Sequence, residues 1–501
     1  MEDIKTFAIS NMPRGGALWE SIAGNFSHCA QIVNEFVDDA LSNYAVHAAD
    51  TRLSREVRMT VRDEGDTVYV TVEDGGTGIA DLSNALTLAG MGAQETILNE
   101  HGFGLKHALA SANPENNDWS IVTRTEEDAK ANRSRKVSAP YMLSKDGFSG
   151  EYLEGWDGTL GATGTIIRFG CGRRMFETLQ DGRHQQSVKF VDLVMMLAEE
   201  LGFTYGPLLR DNRLRIRLLA ENSRGEQLKD VMVTPLDPVW DEEEPPVELE
   251  PALYDLGGGE VKITCKYGQI IPSEENNRYY RGNMASSGVE LRVNGRAVTF
   301  GLFKSIWKCE KHPSQNLFLA QVNLETNCAG AVPPTRTAKN GFREGDARLE
   351  SLYRWIRCAV PKPDRQTAAA VERALFTQLA GEKERTLRSP CRVSTEEFAY
   401  QSLGEKVRMD LFTNENGLAC IYEGKKDATQ PRDIYQLRMY WDGCVVDGIC
   451  PREAILIASR HPDSVRKLVD ITNRMCGPDG KPYNFLLETW RDEGLEYPPV
   501  A

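Results

Sequence analysis

Between Ile32 and Asn43 the apolar residues Ile32, Val33, Phe36, Val37, Ala40 and Leu41 recur three and four positions apart, which predicts an amphipathic helix with one buried side. Glu35 and Asp39 stand four apart, so their carboxylates share one face of that helix, a turn from each other. Beyond it the period drops to two. Val57–Val61 and Val68–Val72 alternate apolar and polar residues about the turn Glu64-Gly65-Asp66, the pattern of a β-hairpin with one buried face. A helical pattern returns over Leu105–Ala112, and Gly161-Ala-Thr-Gly-Thr-Ile-Ile-Arg168 reads as a Gly-Thr turn opening an apolar strand.

From Leu214 strands dominate: Leu214–Leu218, Val261–Cys265, and Gly288–Arg296, which carries an Asn294-Gly295 turn near its end. The acidic, proline-bearing stretch Asp241–Pro251 reads as a solvated loop. Leu349–Arg388 looks helical with breaks at Pro361 and Pro363, and Ser394–Leu403 reads as a short helix. Lys406–Phe412 and Leu418–Lys426 then form a hairpin about a turn at Asn414–Gly417, a helix begins at Asp433, and Glu453–Ala458 supplies another core strand. Such alternation predicts an α+β or α/β multidomain protein.

Length and composition narrow the class. The 501 residues leave room for roughly three or four domains, and 41% hydrophobic with 26% charged residues is the balance of a globular protein. No apolar run approaches the roughly 18–20 residues that span a bilayer, and the opening MEDIKTFAISNMPRGG lacks the basic and apolar regions of a secretory signal. A cytoplasmic protein with no membrane partner is expected. Eleven irregularly spaced cysteines with no CxxC pair, beside seven histidines, argue against a disulfide framework or structural zinc and for reduced, mostly buried thiols. A net charge of −14 is not that of a protein coated for nucleic acid, so DNA contact would come from a local patch or through metal ions.

Candidate chemistry begins where the second hairpin strand runs into Glu73-Asp-Gly-Gly-Thr-Gly78. A strand-end carboxylate followed by glycines lets the backbone approach a flat ligand while the acid accepts from an amino group, although DGGTG alone is also an ordinary turn. Gly90-Met-Gly92 and Glu100-His-Gly-Phe-Gly-Leu-Lys106 form a glycine-rich loop entering a helix, where orphan N–H groups and a lysine suit phosphate. The order ExxxD, DxGxG, GFGxK and GTxI resembles the GHKL ATPase superfamily of gyrase, MutL, MORC and the ninety-kilodalton heat-shock chaperones. That resemblance implies ATP and Mg²⁺, with Glu35 as general base, Asp39 as magnesium ligand and Asp74 as adenine reader. It further implies Gly76 and Gly78 as close-approach glycines, the segment Gly102, Phe103, Gly104, Leu105 and Lys106 as phosphate lid, and Thr165 as an adenine-side hydroxyl. The family usually has Asn where Asp39 stands; a hard cation tolerates carboxylate, while the extra charge beside phosphate weakens nucleotide affinity when magnesium is scarce. Gly288–Arg296 resembles the NGR strand of the MORC and MutL transducer domain, which implies that Lys339, in Pro333-Pro-Thr-Arg-Thr-Ala-Lys-Asn-Gly-Phe342, reaches back to the γ-phosphate; read without that resemblance it is one more surface lysine.

A second chemistry occupies the last third. Glu423 and Lys425 are two apart and project from one face of their strand, with Asp410 on the neighbouring strand, so two carboxylates could hold Mg²⁺ or Mn²⁺ beside a lysine. Asp410, ExK thirteen residues on, and Gln436xxxTyr440 resemble the RecB-like branch of the PD-(D/E)xK nucleases. The resemblance implies catalytic roles for Asp410, Glu423, Lys425, Gln436 and Tyr440, with Asp410 and Glu423 as metal ligands and either Glu396 or Glu397 as the helix acid of that fold. From Arg336 to Arg365 eight Lys/Arg face four acids, which suits a DNA-facing surface or a solvated connector equally.

The expected organisation is a Bergerat-type α/β sandwich ATPase over 1–212, a β-α-β transducer domain over 213–345, a helical connector over 346–390 and a PD-(D/E)xK nuclease core over 391–501. The expected function is ATP-driven homodimer closure controlling a metal-dependent nuclease on double-stranded DNA, in anti-phage defence and with room for a further defence-system subunit. A MORC-like clamp whose nuclease-like domain does not cut, acting in compaction or repair, is the alternative, and a chaperone-like or kinase-like protein needing no DNA is a third class. The defence role rests on architecture alone.

Overall fold

In the computed structural model the described residues are 17–88, 90, 102–142, 149–180, 188–242, 244–363, 368–395, 397–495 and 497. Met91, Gly92, Glu100, His101 and Glu396, singled out above, lie outside them. The chain divides into two compact units, Met1–Pro363 and Asp364–Ala501, and the fold is α+β and multidomain.

In the first unit, α1 (Ala17–Ala23) and α2 (Cys29–Val46) lead into the hairpin β1 (Glu56–Asp63) and β2 (Thr67–Asp74). There follow α3 (Leu82–Leu86), α4 (Gly104–Ala112), β3 (Trp119–Arg124), α5 (Glu126–Lys130), β4 (Arg133–Ser138), β5 (Glu151–Glu154) and β6 (Gly164–Gly172). Then come α6 (Arg173–Glu177), α7 (Phe190–Thr204), α8 (Gly206–Arg210), β7 (Arg215–Glu221) and β8 (Gln227–Met232). The eight strands form one sheet in the order β5-β4-β3-β6-β2-β1-β7-β8. Val57, Met59 and Val61 of β1 and Val68, Val70 and Val72 of β2 are buried, so the period of two puts one sheet face against α2, α4 and α7.

The domain boundary expected at 212/213 falls inside this sheet. β7 pairs in parallel with β1, Ile216 opposite Val57 and Leu218 opposite Met59, because its buried Ile216, Leu218 and Ala220 complete the same core. The second sheet begins only with β9 (Val239–Trp240) and β10 (Val247–Asp255), and continues through β11 (Glu260–Ile271), β12 (Gly288–Val293), β13 (Arg296–Leu302), α9 (Lys304–Trp307) and β14 (Phe318–Glu325). Its order is β10-β11-β14-β12-β13, with β9 on β11. The stretch read as a solvated loop is therefore partly an edge strand: β10 crosses Pro251 at a register shift between Leu249 and Ala252, a position that tolerates a residue without N–H.

The connector expected over 346–390 is two helices with different attachments. α10 (Ala347–Ala359) buries Leu349, Leu352, Tyr353 and Ile356 in the core of the second sheet. α11 (Ala368–Thr386) belongs to the second unit, where Leu375, Phe376 and Leu379 cover one face of a third sheet. That sheet runs β15-β18-β19-β20-β21, built from β15 (Cys391–Ser394), β18 (Leu411–Glu415), β19 (Leu418–Ala428), β20 (Pro451–Arg460) and β21 (Phe485–Thr489). The small pair β16 (Phe398–Ala399) and β17 (Val407–Arg408) stands beside it, and α12 (Pro431–Val446) and α13 (Asp463–Thr472) pack on the opposite face from α11. Alternation along β19 divides Ala419 and Ile421 from Cys420 and Tyr422 between the two faces. The short helix expected at Ser394–Leu403 is instead the end of β15, β16 and a single 3-10 turn at Gln401–Leu403. All eleven cysteines are free thiols, but only Cys29, Cys171, Cys265, Cys420 and Cys444 are buried, so burial is not their general state. Among the described residues no helix is long and apolar enough to cross a membrane.

Candidate functional site

α2 is buried on nearly every side, and its polar residues Asn34, Glu35, Asp38 and Ser42 are buried with its apolar ones. Burying carboxylates on a helix is costly unless they are paired, and Glu35 and Asp38 are paired with cations from outside the helix. Three loops meet it. Gly104 opens α4 so close that an added Cβ would lie 1.6 Å from Glu35 Oε1, and Gly102 has φ +60°. After β2, the Gly76 N–H donates to Asp74 Oδ1 at 2.8 Å, and Thr77 exchanges hydrogen bonds with the Asn43 amide at 2.8 and 3.0 Å. At the start of β6, Gly164 (φ +147°) lets the backbone pass where a Cβ would strike Asp74 O at 2.1 Å, and Thr165 hydrogen-bonds Asp74 and lies 3.2 Å from Thr123 Oγ1.

These elements enclose a cavity of about 710 Å³. Of the residues singled out in the sequence, Asp39, Asp74, Gly78, Gly102, Gly104, Leu105 and Thr165 line it, together with Asn43 and Thr77. Glu35, Gly76, Phe103, Lys106 and Lys339 are not on its wall. Phe103 stacks on His107 at 5.3 Å, and Lys106 is buried with its ammonium donating to Ala85 O at 2.8 Å. Lys339, far from being a surface lysine, is buried with Nζ 3.0 Å from Glu35 Oε1 and 3.2 Å from Asp38 Oδ2.

The electrostatics follow from this crowding. Burial, reinforced by the Glu35 charge, pushes Asp39 up to about 7, and burial, helped by the Glu73 charge, carries Asp74 to about 6 against its hydrogen bonds. Burial also raises Glu35 although Lys339 pulls the other way. Asp38 goes below the ordinary carboxylate range, because Arg296 and Lys339 together outweigh its burial. Lys106 is lowered to about 8 by burial, opposed by Asp39 and Glu35.

Sequence reading missed Asp38, Asn43, Tyr205 and Arg296 as parts of this assembly. The signal was the helical repeat: Asp38 is three residues after Glu35, and Asn43 four after Asp39.

In the second unit the hairpin β18–β19 brings its expected residues together. Asp410, at the entry to β18, accepts the Gly424 N–H at 3.0 Å, and Glu423 forms an ion pair with Lys425. From α12, Gln436 Nε2 donates to Tyr440 OH at 2.7 Å, and burial together with the nearby Glu423 charge raises the Tyr440 hydroxyl. Glu423 is 1% exposed and its Oε2 has no hydrogen-bond partner. Burial, then the neighbouring charge of Asp410, pushes it up to about 8 although Lys425 pulls down. Such an orphaned, destabilised carboxylate oxygen fits a divalent cation. Among the described residues no group of three or more His, Cys, Asp or Glu stands ready to hold a metal, so any cation here would rest on Asp410 and Glu423.

Glu397 does not join them, since it pairs with Arg392 and Gln401. An acid on a neighbouring helix, Glu372 of α11, accepts the Lys426 N–H at 2.7 Å and feels the charges of Lys425 and Asp410. It escaped notice because α11 read as connector. Yet Glu372 lies three, four and seven residues before Leu375, Phe376 and Leu379, which sets a carboxylate on the buried stripe.

No family model matches the chain, and no curated protein matches it. Among solved structures, the crystal structure of the N-terminal domain of a DNA repair protein is similar over 69% of this chain and 100% of its own, at 14% identity and a TM-score of 0.39. A likeness of that degree carries no argument about function.

Proposed function

We propose that the chain is an ATPase whose nucleotide state governs a metal-dependent nuclease acting on double-stranded DNA. The observation that carries the reading is one cavity lined by Asp39, Asp74, Gly78, Gly102, Gly104 and Thr165 together. Asp74 accepts from an amino-bearing base, Thr165 fixes that carboxylate, and the α4 entry turns its N–H groups toward phosphate. Asp39 would hold magnesium, which supplies charge neutralisation for the phosphates. Glu35 is raised by burial and is suited to take a proton from the attacking water, while Lys339 keeps a cation beside it.

In the second unit Asp410 and Glu423 would hold Mg²⁺ or Mn²⁺, which supplies Lewis acidity toward the phosphodiester. Lys425 is placed to orient water or offset charge on the phosphate, Gln436 and Tyr440 brace Glu423 from α12, and Glu372 is the adjoining helix acid. In this reading two protomers pair when nucleotide is bound, and defence against foreign DNA in the cytoplasm, with or without a further subunit, is the role that suits such coupling. A non-cleaving, MORC-like clamp is favoured by one observation: although Glu372 stands near Asp410, among the described residues no group of three or more His, Cys, Asp or Glu is arranged to hold a metal.

Purified protein incubated with plasmid, Mn²⁺ and ATP, beside Lys425→Ala, separates the two. Cutting by the wild type alone supports the nuclease; DNA retention without cutting by either protein supports the clamp. Glu35→Ala should retain nucleotide while losing turnover, and normal turnover in that variant removes Glu35 from its role.

A further inference from the structure

We propose that Asp38 is the positioning residue that, through Arg296 of the second sheet, holds the Lys339 loop against α2; its effect on turnover rests on the nucleotide reading above. Asp38 is 0% exposed and Arg296 3%. Arg296 leaves the Asn294–Gly295 turn, where φ is +50° and +87°, and its Nε lies 2.8 and 2.9 Å from the two Asp38 oxygens. The same guanidinium donates through Nη1 to the backbone carbonyl of Lys339 at 3.1 Å. One rigid fork therefore ties a helix carboxylate to the loop backbone, while Lys339 Nζ returns to Asp38 Oδ2 at 3.2 Å. Tyr205 OH, within 2.9 Å of Asp38 Oδ1 and 3.0 Å of Asn34 O, fixes the carboxylate from the end of α7. The loop itself is a tight turn, with Lys339 at φ +47° and its N–H on Arg336 O at 2.8 Å.

Charge balance explains why an acid stands at 38. Glu35 and Asp38 contact Lys339 and Arg296 directly in a buried cluster, with Asp39 adding a further carboxyl that acts on Lys339. An amide at 38 keeps the shape but leaves two cations sharing Glu35, which repels Lys339 from its place. Asp38 touches no reacting atom in this account; it acts through Arg296 and Lys339.

Two measurements on the full chain test this. In nucleotide-free protein, Asp38→Asn and, separately, Arg296→Lys should each speed amide exchange across 335–342 by about tenfold while β12 and β14 stay protected, which also shows that the variants fold. In turnover, Asp38→Asn should lower kcat about tenfold with affinity for a non-hydrolysable ATP analogue within about threefold, and adding Lys339→Ala should cost little more. Unchanged loop exchange in both variants, or single-variant losses that simply multiply, overturns the assignment. Absence of any turnover in the wild type overturns the nucleotide reading instead, and the exchange arm still decides the anchoring.

Discussion

At Glu423, titration and metal binding are the same physical question. Its folded value of about 8 lies above the ordinary glutamate value, so the folded state holds a proton that the unfolded state gives up. Stability from this group is complete at low pH and is lost as pH rises toward 8. Thermal or urea unfolding of chelated protein from pH 5 to 9 should therefore show a decline, on the order of 2–4 kcal/mol, that Glu423→Gln removes. Mn²⁺ added at pH 8 should restabilise the wild type and not the variant; equal protection of both places the ion elsewhere. Asp74 gives the opposite use of a raised value. In the proposed nucleotide reading, ionised Asp74 accepts from the base and protonated Asp74 loses that acceptor, so with a value of about 6 the affinity for ATP should fall about tenfold between pH 7.5 and 5. Calorimetry of Asp74→Asn should show weak binding with a smaller decline, the remainder reflecting Asp39 at about 7. Gly104 is the steric counterpart: a Cβ there meets Glu35 at 1.6 Å, so Gly104→Ala should displace the carboxylate and abolish turnover, and wild-type kcat in that variant would exclude the close approach.

Elements with strong periodicity could be read ahead of the structure. The α2 helix, the β1–β2 hairpin, the Asn294-Gly295 turn and the β18–β19 hairpin each follow from local pattern and turn chemistry and stand where the residues place them, although α2 is buried on nearly every side rather than on one. Attachment was harder to read, because a helix or strand does not state which sheet it joins. β7 has the same apolar alternation whether it starts a domain or closes one, and only its parallel pairing with β1 decides. α11 looked like a linker for the same reason, although Gly424 beneath it leaves no room for a side chain: a Cβ would meet Phe376 at 2.4 Å and Trp490 at 2.9 Å. Gly424→Ala should lift α11 from β19, cost about 1–3 kcal/mol, and impair Mn²⁺-dependent cutting because Glu372 rides on that helix. Glu372→Gln should impair cutting with stability unchanged. A Gly424→Ala protein of wild-type stability would show that the helix yields without cost.

Across the whole molecule, the buried charges are the part that sequence reading found least accessible. Asp38 and Arg296 are 258 residues apart, and neither has a local pattern that names the other; only the packing of the second sheet onto α2 joins them. Lys339 was named by resemblance, but its place beside Glu35 is a fact of that packing. The proposed coupling of the two chemistries would belong to the full chain, and the initial rate of plasmid cleavage with Mn²⁺, with and without saturating ATP, tests it most directly. The account predicts cutting that rises at least about tenfold with ATP, as a nucleotide-gated switch requires, and that vanishes in Lys425→Ala. Equal cutting with and without ATP would contradict it.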